Sequence, residues 1–422
     1  MNFPADPDAS CREEKDLIPS VPRSLKVKLP SGSHLFEVLM TGIGGAVNAE
    51  VLPEKISPAQ PPLTKEEKTQ PEQKVYGIEP TLSLGYDSNI IQLSPSDLDL
   101  FRNNRGYTPQ NTNIQRIDSN IKSTDDFPII FELVGNAQGR PWKEKKTFAE
   151  LKGHAYFFPK NVVKFYGDAG IAFAQELPPG PQVRVSYIYQ TKTYLRNLSY
   201  FNPLVPGISF SLSSYRKAWF QSHTAGLSLS QPLKEIFILN AGYTFKTIIF
   251  REVFKERNSF IHRGFGGIEA SPWGPLKLRI EGSYEMSLAR GDIRSTPRKE
   301  ADTSYSQAGG SVMAGIDLKR LGWANLFLDA EGSIYLRSFT TGDSLDLLHY
   351  DRQDALNSFT GRVIYRMSKN WALGATYSFI LVNSNVGLLP SLEQKDEATS
   401  YREDTAFLNI IFTPPRFGPP VK

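Results

Sequence analysis

From Leu276 to Leu288 apolar and polar residues alternate. Leu276, Leu278, Ile280, Gly282, Tyr284, Met286 and Leu288 share one parity, and Lys277, Arg279, Glu281, Ser283, Glu285 and Ser287 the other. A period of two marks a β-strand, whose successive side chains point to opposite faces. Strands of soluble proteins usually run about 5–6 residues, whereas a tilted strand needs about 9–11 to cross a bilayer. The polar parity carries too many charges to be sealed from water cheaply. Length and face composition together predict a membrane strand, apolar outside and wet inside.

The same period recurs from Val75 onward and predicts strands over 75–88, 127–139, 147–158, 162–175, 182–196, 218–230, 235–250, 258–270, 276–288, 304–318, 324–338, 357–367, 371–381 and 403–412. Tight connections rich in turn residues, such as S-P-W-G-P around Trp273, alternate with long polar ones such as 289–303, as short periplasmic turns alternate with outer loops. The third connection, F-P-K-N at 158–161, is short where an outer loop is expected; a register error or a dimpled rim would account for it. Four of the five tryptophans, Trp142, Trp273, Trp323 and Trp371, fall in or beside the connections assigned to the periplasm, which suits an interfacial belt on one rim. The fold class expected is therefore all-β: a transmembrane antiparallel β-barrel of about 14 strands over 75–413, with a tail over 414–422.

Residues 1–74 show no strand pattern. Arg23, Lys26 and Lys28 precede an apolar stretch, Leu35–Ala46, and a small-residue site, V-N-A, before Glu50. Although Glu37 interrupts the apolar run, 1–49 reads as an export signal with an N-terminal extension. The Pro- and charge-rich 50–74 reads as a disordered linker. Cys11 is the only cysteine, so no intrachain disulfide forms, and it reads as an incidental thiol.

Charge and length change the picture little. The 48 Lys+Arg against 44 Asp+Glu are scattered, which gives no argument for nucleic acid. No apolar run approaches the length of a transmembrane helix.

The first strand ends in T-L-S-L-G-Y-D-S-N-I, Thr81 to Ile90. With Gly85, Tyr86, Asp87, Ser88 and Asn89 where strand meets loop, it resembles the opening strand of many proteobacterial outer-membrane barrels. It is most similar to the barrel domains of surface lipoprotein assembly modifiers and of kindred barrels linked to helical repeats or exopolysaccharide export. The resemblance implies a fourteen-strand barrel that helps to move or display something at the cell surface.

Chemistry is sparse. The five histidines have no metal-ligand spacing, and no phosphate-binding loop or cysteine cluster occurs, so neither metal nor cofactor is expected. Ser222 and His223 come nearest to a hydrolytic couple, but neighbours on a strand face opposite sides. The loop acids Asp97, Asp99, Asp343, Asp346 and Asp351 read as solvated charge rather than a Ca²⁺ site. An enzyme is not expected.

The inward charges remain. Lys164, Arg184, Lys192, Lys246, Arg263, Lys277, Arg279, Arg337, Arg362 and Arg366 are expected to line the lumen, opposed by Glu132, Asp168, Glu269, Glu281, Glu285, Asp329 and Glu331. Such rings either set the electrostatic profile of a channel or close a barrel with salt bridges. About fourteen strands enclose more space than side chains fill, which favours a wet or loop-plugged lumen. Its basic-leaning charge predicts a weak preference for anions. The expected function is a channel or export component for a polar solute, glycan or surface protein in the cell outer membrane. The alternative is a display barrel that binds partners through its loops, with a lipid hydrolase third. Expected partners are the outer-membrane lipid bilayer, the barrel-assembly machinery and a periplasmic partner reached through the linker.

Overall fold

The computed structural model describes residues 75–93, 98, 121–142, 145–178, 180–200, 214–234, 236–290, 303–341, 349–385 and 400–414. The expected signal, the linker, the tail beyond Pro414 and the loop acids Asp97, Asp99, Asp343 and Asp346 lie outside them. The strands are β1 (Val75–Asp87), β2 (Ile129–Trp142), β3 (Lys145–Phe157), β4 (Tyr166–Glu176), β5 (Gln182–Tyr200), β6 (Ser214–Leu233), β7 (Phe237–Phe250), β8 (Ser259–Trp273), β9 (Leu276–Ala289), β10 (Tyr305–Asp317), β11 (Leu326–Phe339), β12 (Gln353–Arg366), β13 (Trp371–Ser384) and β14 (Tyr401–Phe412). Each pairs antiparallel with its sequence neighbours, and β1 closes against β14.

All fourteen strands form where alternation places them. Four boundaries shift by four residues. β4 starts at Tyr166 because Val162–Lys164 wind into a 3₁₀ turn. β5 and β6, at 19 and 20 residues, outrun their neighbours as a long hairpin. β12 starts at Gln353, four residues earlier than its alternation suggests.

The two faces differ as the pattern requires. One exposes large apolar side chains such as Ile280 (63%), Leu227 (53%) and Phe131 (49%). Only lipid covers a continuous apolar band of this kind, and a closed barrel leaves no unpaired strand edge in it. The chain is an outer-membrane β-barrel.

The closing seam is polar on its inner side. Ser83 Oγ donates to Asn409 Oδ1 (2.7 Å), and Asn409 Nδ2 donates to Thr376 Oγ1 (3.0 Å). Gly85 sits opposite Phe407, whose ring lies across it; a Cβ there would overlap that ring and the Ala406 carbonyl. Gly264, on the outer face, has open space around it. Gly85→Ala should therefore destabilise the barrel by about 1–3 kcal/mol through overpacking. Gly264→Ala should not. Urea unfolding of the two variants checks this, and equal midpoints would show that Phe407 yields freely.

Candidate functional site: the lumen and its inward loop

Residues Ser88 to Asp126 leave the barrel wall and return, and their described ends turn inward. Asn89 is buried. It accepts from Leu93 N (2.9 Å) through Oδ1, and its Nδ2 donates to the carbonyls of Leu93 (2.9 Å) and, on β14, Arg402 (3.0 Å). Ser88 N donates to Asp404 O (3.0 Å), and Asp404 N to Ser88 Oγ (2.8 Å). This knot on the last strand aims Ile90, Ile91 and Leu93 into an apolar cluster with Ile121, Tyr156 and Phe158, against which Ile130 and Tyr166 pack. By register Ile130, Tyr156 and Tyr166 face inward, on the same side as Ser83 and Glu132. The loop therefore narrows the lumen from the β2–β4 side.

The short third connection is its fastener. Asp126, fully buried, accepts from Asn161 N (2.9 Å) and Nδ2 (2.8 Å) through Oδ2, while Asn161 Oδ1 accepts from Lys122 N (2.8 Å). The connection is short because the loop folds down onto it.

Below the loop, Glu132, His154 and Asp168 stand on adjacent strands. His154 Nδ1 lies 2.6 Å from Asp168 and Nε2 3.5 Å from Glu132. Further round, arginines grip carboxylates across the strands: Arg184 to Glu150 (2.8 Å), Arg263 to Glu281 (3.1 Å), Arg279 to Glu331 (3.1 Å) and Arg362 to Asp329 (3.0 Å). Tyr305 donates to Glu285 (2.8 Å), and the Arg337 guanidinium stacks 3.8 Å from the Tyr305 ring. Near the long-loop rim the buried Arg352 donates to Asp354 (2.8 Å). Two of these pairs stay open to solvent, with Arg184 41% and Arg263 31% exposed, whereas Arg352 and Asp354 are covered.

Alternation and register put Lys246, Lys277 and Arg366 on the same face as these pairs. Two expected lining residues lie outside regular strand pairing. Lys164 precedes β4 in the 3₁₀ turn, where it is buried and donates to the Leu195 carbonyl (2.9 Å). Lys192 lies in a bulge of β5 between Gln190 and Thr193; the extra residue breaks alternation, and its ammonium sits over the Trp219 ring (4.4 Å). Ser222 and His223 face opposite ways, Ser222 to Gln190 (3.0 Å) and His223 to the Tyr187 hydroxyl (2.7 Å). Trp273, Trp323 and Trp371 are exposed at the short-turn rim, whereas only the backbone of Trp142 is described.

Four inward acids outside the expected set, Glu403, Asp87, Glu79 and Glu150, change the balance. β14 and β1–β4 turn Glu403, Asp87, Glu79, Glu132, Glu150 and Asp168 inward, with Lys152 and His154 among them. Arginine and lysine concentrate on β5 and β7–β12. The lumen thus has an acidic wall facing a basic-leaning one, and the lining as a whole no longer leans basic.

No protein-family model and no curated protein matches the chain. Solved structures similar to it include the outer membrane channel DcaP of Acinetobacter baumannii, with 11% identity, a TM-score of 0.41 and coverage of 80% of this chain and 96% of that one. An anion-selective porin from Comamonas acidovorans has 9% identity and a TM-score of 0.37, covering 81% and 99%. OccK9 of Pseudomonas aeruginosa has 10% identity and a TM-score of 0.36, covering 80% and 98%.

Proposed function

We propose that the protein is a non-enzymatic channel that passes small polar solutes across the outer membrane, narrowed by its first long loop. The observation that supports this is a lumen wall of ion pairs that solvent still reaches, such as Arg184 with Glu150 and Arg263 with Glu281. A barrel filled by its own salt bridges would shield them. The G-Y-D-S-N motif, on which the resemblance to surface-export barrels rests, is accounted for here by the closing seam. It lends export no separate support.

The test is planar-bilayer recording on refolded protein, with stepwise conductance expected. Silence would sink the channel reading and leave export or display in its place. Selectivity probes the path itself. Arg362 holds Asp329 through Nε and Nη2, and Arg366 shares its inward parity on β12. Arg362→Glu with Arg366→Glu should move the reversal potential toward cations. The shift should be larger at 0.1 M salt, with a Debye length of about 10 Å, than at 1 M, where it is about 3 Å. An unmoved potential would place both residues off the conduction path.

A further inference from the structure

On the lumen wall opposite the loop, one row of inward positions carries aromatic rings instead of charge. Phe265 on β8, Ser283 on β9, Gly309 on β10 and Tyr335 on β11 stand side by side in register, and Gly242 of β7 begins the row as the partner of Phe265. Both rings lie against the wall because each is paired with a glycine: a Cβ on Gly242 would overlap the Phe265 ring, and one on Gly309 would meet the Tyr335 ring. Tyr335 also shares a hydrogen bond with Ser283, which draws its ring across β10 toward β9. Both aromatic residues stay partly exposed. From β7 to β11 the row crosses four inter-strand spacings of about 4.8 Å, which makes a shelf roughly 19 Å wide.

Polar groups border the shelf on both edges. Toward the long-loop rim the next inward positions are Arg263, Glu285, Gln307 and Arg337; toward the short-turn rim they include Glu281 and Ser333. The two arginines and two glutamates among them balance. Arg263 donates to Glu281 (3.1 Å), Arg337 to Gln307 (3.0 Å), and Glu285 accepts from the Tyr305 hydroxyl (2.8 Å). In the closed ring β10 stands seven places from β3, so the shelf faces the loop-bearing wall across the lumen.

We propose that this shelf binds neutral oligosaccharides; this names the solute class of the channel proposed above and rests on that reading. A pyranose ring has apolar C–H faces and a rim of hydroxyls. Its faces lie on Phe265 and Tyr335, whose π-electrons attract the C–H bonds. The rim hydroxyls meet donors and acceptors along both edges: guanidinium N–H groups, carboxylate oxygens, the Gln307 amide and the Ser333 hydroxyl. Flat apolar area with a few fixed polar groups is the make-up of a small-molecule site. Because each bordering arginine already faces an acceptor, the shelf has no excess charge for an ion to recognise.

The test takes full-length refolded protein and two probes, maltohexaose and cellohexaose. Calorimetry in a detergent without a sugar headgroup reads binding whether or not the protein conducts, and planar-bilayer recording reads block of the open current. At least one probe should bind, and block at matching concentrations, with an affinity that salt leaves unchanged because the ligand carries no charge. Phe265→Leu and Tyr335→Leu remove a flat face while keeping apolar bulk, and each should weaken binding about fivefold. Phe265→Tyr keeps the face and should bind as the parent does, as should Tyr284→Leu on the lipid side. Heat-modifiable mobility should show that every variant is folded. Conductance with neither probe bound would overturn the shelf and leave the channel standing, whereas binding without conductance would sink the channel and keep the shelf. Equal affinity in the parent and both leucine variants would also overturn the proposal. Stronger block by benzoate than by either sugar, fading with salt, would overturn it in favour of an aromatic acid.

Discussion

Placing aspartates at Ile90 and Leu93 should enlarge the conductance step while leaving the barrel folded. Both side chains are buried against Tyr156 and Phe158. Taking an unpaired carboxylate into such surroundings costs several kcal/mol. The apolar contacts that hold the loop to the β2–β4 wall cannot offset that twice over. The wall itself is unaffected, because the strand ladders from β1 through β14 run independently of the loop. Electrophoretic heat-modifiability should therefore match the parent, and single-channel recording should show larger steps. Unchanged steps would mean that permeation does not pass the loop.

The second large effect separates the faces of β9. Ile280 is among the most exposed apolar residues and points to lipid, and Ile280→Arg should cost about 2–4 kcal/mol at the membrane midplane. Arg279, one residue away, points inward and donates to Glu331 at 3.1 Å. Arg279→Ser leaves Glu331 beside water, and the loss should stay near or below about 1 kcal/mol, as for other solvated ion pairs. Folding into lipid vesicles against a urea series measures both. Similar losses would mean that this strand's faces are assigned the wrong way round.

The barrel was legible because alternation is a local property: each strand states its own two faces, whatever it pairs with. The irregular points were not. At Lys192 one extra residue inverts parity beyond Gln190, and period-two reading carries straight through a bulge. At Lys164 a 3₁₀ turn imitates the start of a strand. The inward loop was hidden for another reason. Ile90, Ile91 and Leu93 acquire meaning only against Tyr156 and Ile130, far along the chain, and their I-I-Q-L stretch lies in what composition assigns to a surface loop. The inward acids Asp87 and Glu403 were overlooked because they stand at strand ends, where alternation is too short to fix a face. Even the anomaly at Phe158–Asn161 was visible as an exception, yet its cause was Asp126, a partner 35 residues upstream.

The knot at Asn89 sets an order of events in the making of this protein. Its Nδ2 reaches the Arg402 carbonyl, and Ser88 exchanges hydrogen bonds with Asp404, so a loop that already packs on β2–β4 is also tied to the last strand. Until β14 arrives, the loop lacks these bonds and the sheet has no seam. A half-assembled barrel is thus an open sheet whose loop is held on one side alone, and the last strand to pair both seals the wall and completes the hold on the constriction.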